Sequence, residues 1–350
     1  MAKVSLAYYT FRISDSTKID KKTKKPTYIP LGDILGKSLE KHLYNYFYST
    51  AKNYVNDKQN ERLFRTIRLN VNEHSVDNEL YYKSVTAIVK TGEYGVEAEI
   101  VDSEDTSNTT KMSQSQAPVM PFGFALFFNP EKDTAILITQ SLGRNGISSV
   151  IKKHLSTMVK SIDQLLCSEV KNVIPHNLLK KLLERDEIKS LSIETYKESN
   201  YDLLDEYGEK ATLQTSRKVS TFKKPLFSNK NFLYDIFVKQ RKISKVDGLT
   251  SDDETIDNLI VNFSSKTLNY NAYYSTRITE DISKVFKDED GVPPLKLFET
   301  MDENVREYLY ATKIIIPINN CVIKQNNTAC FYVDSEKDDV IEKILIECNK

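Results

Sequence analysis

The sequence predicts an α+β protein, an antiparallel β-sheet covered by helices, followed by a second, mixed α/β C-terminal portion. Three observations carry that prediction. From about residue 62 apolar residues recur at every second position through several consecutive short segments, which is the period of a half-buried strand. The connectors "KTGEYG" and "NPEKD" have the turn chemistry of hairpins. Hairpins join antiparallel neighbours, whereas parallel neighbours need crossovers of roughly a dozen residues. Ile147, Val150, Ile151, Leu155, Met158, Ile162, Leu165 and Leu166 recur at i, i+3, i+4 spacing, the stripe of an amphipathic helix.

Taken in order, "KVSLAYYTFRIS" reads as a strand and "DSTKIDKKTKKPTYIP" as a basic loop punctuated by Pro26 and Pro30. Asp33 is the candidate N-cap of a helix in which Leu35, Leu39, Leu43, Tyr46, Phe47 and Tyr54 share one face. The strands "LFRTIRLNV", "KSVTAIVK", "GVEAEIVD", "MPFGFALFF" and "TAILITQSL" follow, with the polar segment 102–117 as a loop. After the helix at 147–166, Pro175 suits the first turn of another, "PHNLLKKLLERDE". "IKSLSIETYK" then returns as a strand, and the first domain closes near residue 197.

Residues 198–350 hold a basic-aromatic segment and a smaller α+β domain. The strands expected there include "NLIVNFSS", "KIIIPINN" and "ACFYV", with "LNYNAYYSTRI" rich in tyrosine. Leu297, Met301, Val305 and Leu309 step by four along a helix preceded by Gly291, Pro293 and Pro294.

Composition narrows the function classes. No segment approaches the ~18 apolar residues needed to span a bilayer, so no membrane partner is expected and the cytoplasm is the expected location. Cys167, Cys321, Cys330 and Cys348 are scattered, with no C-x-x-C, which reads as reduced thiols rather than a disulfide framework or zinc site. The 49 Lys and Arg balance 49 Asp and Glu, but the charge is locally polarised. Residues 217–245 carry nine Lys or Arg against one acid, whereas 247–257 carry five acids and no base.

Two constellations point to polyanions. "SLGRNGISS" places Gly143, Arg144 and Gly146 between a strand and a helix. Such a turn can aim backbone N–H groups at a phosphate near a helix start, with Arg144 as a fork and Lys152 and Lys153 one to two turns on. The alternative is a strand-to-helix connection that simply needs glycine. The second constellation is Lys218, Lys223, Lys224, Lys230, Lys239, Arg241 and Lys242, interleaved with Phe222, Phe227, Phe232, Tyr234 and Phe237. Cations neutralise phosphates and exposed rings stack on unpaired bases, although the same rings could be core.

An enzyme reading rests on Glu97, Glu99 and Asp102, which could hold Mg²⁺ in a metal-dependent nuclease. Against it, Val96, Ala98 and Ile100 are expected to fill the buried face of that strand, leaving Glu97 and Glu99 as its solvent side. No cofactor is evident otherwise. "SVIK", "KTG" and "DEDG" lack the context of the motifs they echo, and His42, His74, His154 and His176 follow no catalytic spacing.

Three blocks, "PVMPFGFALFFNPEKDTAILITQSLGRNGISSVIKKHL", "IPHNLLKKLLERDEIKSLSI" and "RITEDISKVFKDEDGVPPLKLFETMDENVREYL", cover under a third of the chain. Together they resemble uncharacterised bacterial proteins associated with mobile elements and phage-defence loci. The resemblance implies a defence component that senses foreign nucleic acid or a phage protein, and it assigns no catalytic residue. The leading expectation is therefore an antiviral component that binds nucleic acid through its phosphate backbone. The alternatives are a metal-dependent nuclease or toxin-like effector, and a non-catalytic interaction module that docks a protein partner or a second copy of itself.

Overall fold

The computed structural model describes residues 3–19, 26–76, 79–173, 190–199, 213–223, 254–262, 266–271, 277–287, 289, 291–315, 324–326 and 332–334. In chain order the first elements are β1 (Val4–Ile19), β2 (Pro26–Tyr28), α1 (Leu39–Ser49), β3 (Val55–Asp57), β4 (Arg62–Val76) and β5 (Glu79–Glu93). Next come β6 (Ala98–Val101), β7 (Thr109–Met112), β8 (Met120–Phe128), β9 (Thr134–Leu142), β10 (Asn145–Gly146), α2 (Ser148–Ile162) and β11 (Leu166–Asn172). The remainder are β12 (Ser190–Ser199), β13 (Leu213–Lys223), β14 (Glu254–Asn262), β15 (Lys266–Asn271), β16 (Arg277–Asp281), α3 (Pro294–Ala311), β17 (Lys324–Asn326) and β18 (Tyr332–Asp334). The α+β expectation holds at this level: antiparallel sheet dominates, with three α-helices among the described residues.

The chain divides into two units, one formed by 10–170 with 289–350 and the other by 1–9 with 171–288. In the second unit β12–β16 pair antiparallel in the order β13–β12–β14–β15–β16. There the first residues of β1 join β16, with Leu6 opposite Glu280, and the Tyr8 hydroxyl donates to Glu280 Oε2 at 2.8 Å. Residue 197, where the sequence closes a first domain, lies within β12 of this unit.

The first unit is built on two long strands. β4 and β5 pair from Arg62 opposite Glu93 to Val76 opposite Glu79, and β8 and β9 follow in the sheet order β4–β5–β8–β9. Alternation along a strand sends neighbouring side chains to opposite faces, and the two faces have different covers. Phe64 and Phe124 meet Phe47 of α1, with ring centroids 6.3 and 5.2 Å apart. Gly123, one residue before Phe124, faces α3 instead. A Cβ there would stand 2.5 Å from Leu297 Cδ2, so the missing side chain is what lets the helix lie close. Leu297, Met301, Val305 and Leu309 are buried along α3 as their spacing predicts.

Several boundaries differ from the sequence reading, each for a local reason. α1 begins at Leu39 after Ser38, not at Asp33. The Asp33 carboxylate accepts from the Gly36 N–H at 2.8 Å and closes a separate turn in which Leu35 and Gly36 take φ of 51° and 85°. Short polar side chains compete with helix formation in this way. α2 ends at Ile162, because Asp163 is extended and its carboxylate accepts from the Leu165 N–H at 2.7 Å. Leu166, expected on the helical stripe, is buried from β11, and Leu165 is left 52% exposed. The segment read as a loop at 102–117 contains β7, which pairs with β6. Residues 313–315, expected to open a strand, form the turn that ends α3, with Ile314 N–H bonded to the Leu309 carbonyl. The helix expected at 175–187 lies outside the described residues.

Candidate functional site

The G-x-x-G turn is not a direct strand-to-helix connection. The chain leaves β9, reverses through Gly143 and Arg144, and runs back as β10, with Asn145 opposite Leu142 and Gly146 opposite Ser141. Only the first central residue of this tight hairpin, Gly143, takes a positive φ, 58°, the pattern of a type II′ turn. Residues flanking such a turn exchange N–H and C=O with each other. Asn145 and Gly146 are thus part of a short ladder, and Arg144 stands exposed at the hairpin tip.

α2 starts immediately afterwards. Ile147 is its N-cap residue, no side chain caps it, and its first turn contains no acid. Its first N–H groups thus lack intrahelical acceptors and carry the positive end of the helix dipole. Lys153 is committed elsewhere: its ammonium meets Asp57 Oδ2 at 2.5 Å, and Asp57 also accepts from Asn60 at 2.8 Å. Those contacts, Lys153 first, hold the Asp57 carboxyl down at about 2. Lys152 is half-buried and also has a partner.

Two recesses open beside this element. One of about 390 Å³ is lined by Asp57, Asn60, Arg62, Glu93, Lys153 and His154. The other, about 330 Å³, shares Arg62 and Glu93 with it and reaches Arg144 and Gly146. Arg62 and Glu93 form an ion pair on the shared wall. His154 is stacked on Phe64 with centroids 3.7 Å apart, and its Nδ1 lies 2.8 Å from the Tyr46 hydroxyl. Burial pushes the imidazole down to about 4 and the Tyr46 phenol up to about 12. Both groups are therefore neutral at physiological pH, and the tautomer of His154 decides which of them donates.

Lys218 and Lys223 fall on β13, in the second unit, opposite Thr195 and Ser190 of β12. Lys224, Lys230, Lys239, Arg241 and Lys242 lie outside the described residues. Cys167 is a free thiol, and the other three cysteines are also outside them.

The acidic set is placed on a two-stranded ribbon. Glu97 precedes β6, Glu99 pairs with Lys111 of β7, and Asp102 accepts from the Glu104 N–H at 2.9 Å. The expectation that Val96 and Ile100 would be buried is wrong, since they are 70% and 56% exposed. Two strands alone have no sheet or helix to bury against. Among the described residues no three His, Cys, Asp or Glu side chains are gathered to hold a metal, and no helix is long and apolar enough to cross a membrane.

Sequence reasoning missed a second polar cluster, under α3. His74 Nε2 lies 2.9 Å from Ser84 Oγ and 3.6 Å from Asp302 Oδ1. Asp302 also accepts from the Tyr82 hydroxyl and from Arg306 Nη2, both at 3.1 Å. The members are those of a hydrolase triad, but a relay needs serine and aspartate on different ring nitrogens, and here both face Nε2. Burial holds His74 below its ordinary value against the pull of Asp302. A partial signal marks the cluster: Asn70, Asn72 and His74, and Tyr82, Ser84 and Thr86, recur at every second position, with charged Glu73 and Lys83 interrupting the alternation.

No protein-family model matches the chain, and no curated protein matches its sequence.

Proposed function

We propose that this protein binds nucleic acid through its phosphate backbone, using the β9–β10 hairpin tip and the start of α2 as the contact face. The observation that carries this reading is Arg144, exposed at the tip of a tight hairpin directly ahead of a helix start with no side-chain cap and no first-turn acid. A phosphate oxygen there meets a guanidinium fork and open N–H groups together. Arg62 in the adjoining recess is a second guanidinium, which reaches a phosphate only by exchanging its ion-pair partner Glu93, itself exposed. Lys153 contributes little net charge, because Asp57 neutralises it. The resemblance of the three sequence blocks to proteins of phage-defence loci makes foreign nucleic acid in a bacterial cytoplasm the target.

The test is fluorescence anisotropy with labelled single- and double-stranded DNA and RNA across a salt series. At least one ligand should bind, with affinity falling as salt rises. Arg144→Ala and Arg62→Ala should each flatten the log–log salt slope by about 0.7–0.9, the loss of one phosphate contact. An unchanged slope in both variants, or no binding to any of the four ligands, sinks the proposal. In the second case a protein that co-elutes with the chain would support the interaction-module alternative.

A further inference from the structure

The face of the β4–β5 sheet that α3 covers is polar in three successive cross-strand pairs: Asn70 opposite Thr86, Asn72 opposite Ser84, and His74 opposite Tyr82. The last of these, with Ser84, closes on itself through Asp302. The others do not: no side-chain hydrogen bond ties Asn70, Asn72 or Thr86 to another described residue. Thr86 is only 5% exposed. Asn70 and Asn72 are half-buried and all three residues line one recess, so the row presents its hydrogen-bonding capacity to whatever fills that space.

The space in front of it is a recess of about 490 Å³, within the range of small-molecule sites. It exists because the apolar stripe of α3 is directed onto β8 and β9, leaving a different side of the helix over β4 and β5. That side presents Phe298, Glu299, Asp302, Glu303 and Arg306, and Phe127 of β8 lies on the opposite wall. Asp302 is balanced by Arg306. Glu299 and Glu303 are exposed, one turn apart, and no ion pair joins either to a described residue. The recess is therefore net negative.

We propose that this recess binds a polyhydroxylated amine of monosaccharide size, an amino sugar. Residues two apart on a strand stand roughly 7 Å from each other and cross-strand pairs roughly 5 Å. Asn70, Asn72 and Thr86 thus form a grid on the scale of the hydroxyls around a sugar ring. Carboxamides and a hydroxyl both donate and accept, as those hydroxyls require. The C–H face of the ring meets Phe298 and Phe127, and the ammonium is drawn to Glu299 and Glu303. This site is separate from the nucleic-acid face and stands without it.

Isothermal titration of the full chain with glucosamine tests it, with glucose and N-acetylglucosamine as uncharged counterparts. Glucosamine should bind saturably, on the order of tenfold tighter than either counterpart, the difference a charge-assisted hydrogen bond makes. Asn72→Ala should weaken glucosamine by a similar factor. Glu299→Gln with Glu303→Gln should abolish the preference for the charged sugar. None of the three residues supports the fold through a side-chain bond, and unchanged thermal midpoints would verify that the variants are intact. Absence of saturable binding at millimolar glucosamine overturns the proposal. So does equal binding of all three sugars, or glucosamine binding undiminished in Asn72→Ala.

Discussion

The two faces of the β4–β5–β8 sheet are made by alternate residues of the same strands and have opposite characters. On the α1 and α2 side Phe64, Phe124 and Phe47 are each 1% exposed or less and touch ring to ring. His154 is drawn into that packing as a neutral ring. On the α3 side, β8 is packed by the helix, but β4 and β5 present carboxamides and hydroxyls to an open recess. A period of two lets one strand serve two purposes at once. One face holds the unit together, and the other lines a recess.

The sharpest test of that division is Phe124→Ala. Removing a fully buried ring from a packed face costs about 3–5 kcal/mol, the lost transfer energy plus the cavity left behind. Urea unfolding of the wild type and the variant should show that loss as a lower midpoint with an unchanged slope. A loss under about 1 kcal/mol would mean that the α1 face is not the core of the unit, and the comparison would fail.

The second test uses pH, because the packed face holds a half-buried histidine against Phe64. His154 sits at about 4 in the fold, against about 6.5 in an unfolded chain. Between those values the unfolded state binds the proton and the native state does not. Stability from this group is therefore complete above pH 6.5 and is lost as the pH falls toward 4, by at most about 3 kcal/mol. His154→Phe keeps a ring against Phe64 and removes the titration. Denaturant unfolding at pH 7 and pH 4.5 should thus show a smaller acid loss in the variant. Equal losses would mean that the fold does not hold His154 below its ordinary value. His74 on the α3 side shifts in the same direction, opposed by Asp302, so some acid sensitivity should persist in the variant.

How far the sequence foretells this depends on the range of the interactions involved. The antiparallel pairs and the stripe of α3 are legible because periodicity and turn chemistry are local. β10 is not, since a strand of two residues has no period to detect. Its clue was nevertheless present: glycine at the first central position of a two-residue loop is the demand of a type II′ turn. The sequence places Arg144 beside a glycine turn, and the structure adds that this turn is a two-residue hairpin with Arg144 exposed at its tip. The exposure of Val96 and Ile100 could not be inferred, because alternation says that a face is apolar without saying that anything covers it. The polar row on β4 and β5 is legible as alternation, whereas its cover is not. Tyr82 and Asp302 are 220 residues apart in the chain, and no local signal reports that α3 would leave this part of the sheet open.

The smallest expected effect tests the other side of the comparison. Asn72 is half-buried at the centre of β4, where truncating a side chain would ordinarily destabilise the fold. Here its carboxamide holds no other described residue, and water can fill the space that it vacates. Asn72→Ala should therefore change unfolding free energy by no more than about 0.5 kcal/mol, the range of a surface substitution. Placed beside Phe124→Ala, it measures how unequally two nearby strands of one sheet contribute to stability through their opposite faces. A loss of 2 kcal/mol or so, the size of a broken buried hydrogen bond, would show that Asn72 is part of the architecture. A neutral result leaves its carboxamide with no role in the fold, which is the condition under which sugar binding can be read from the same variant.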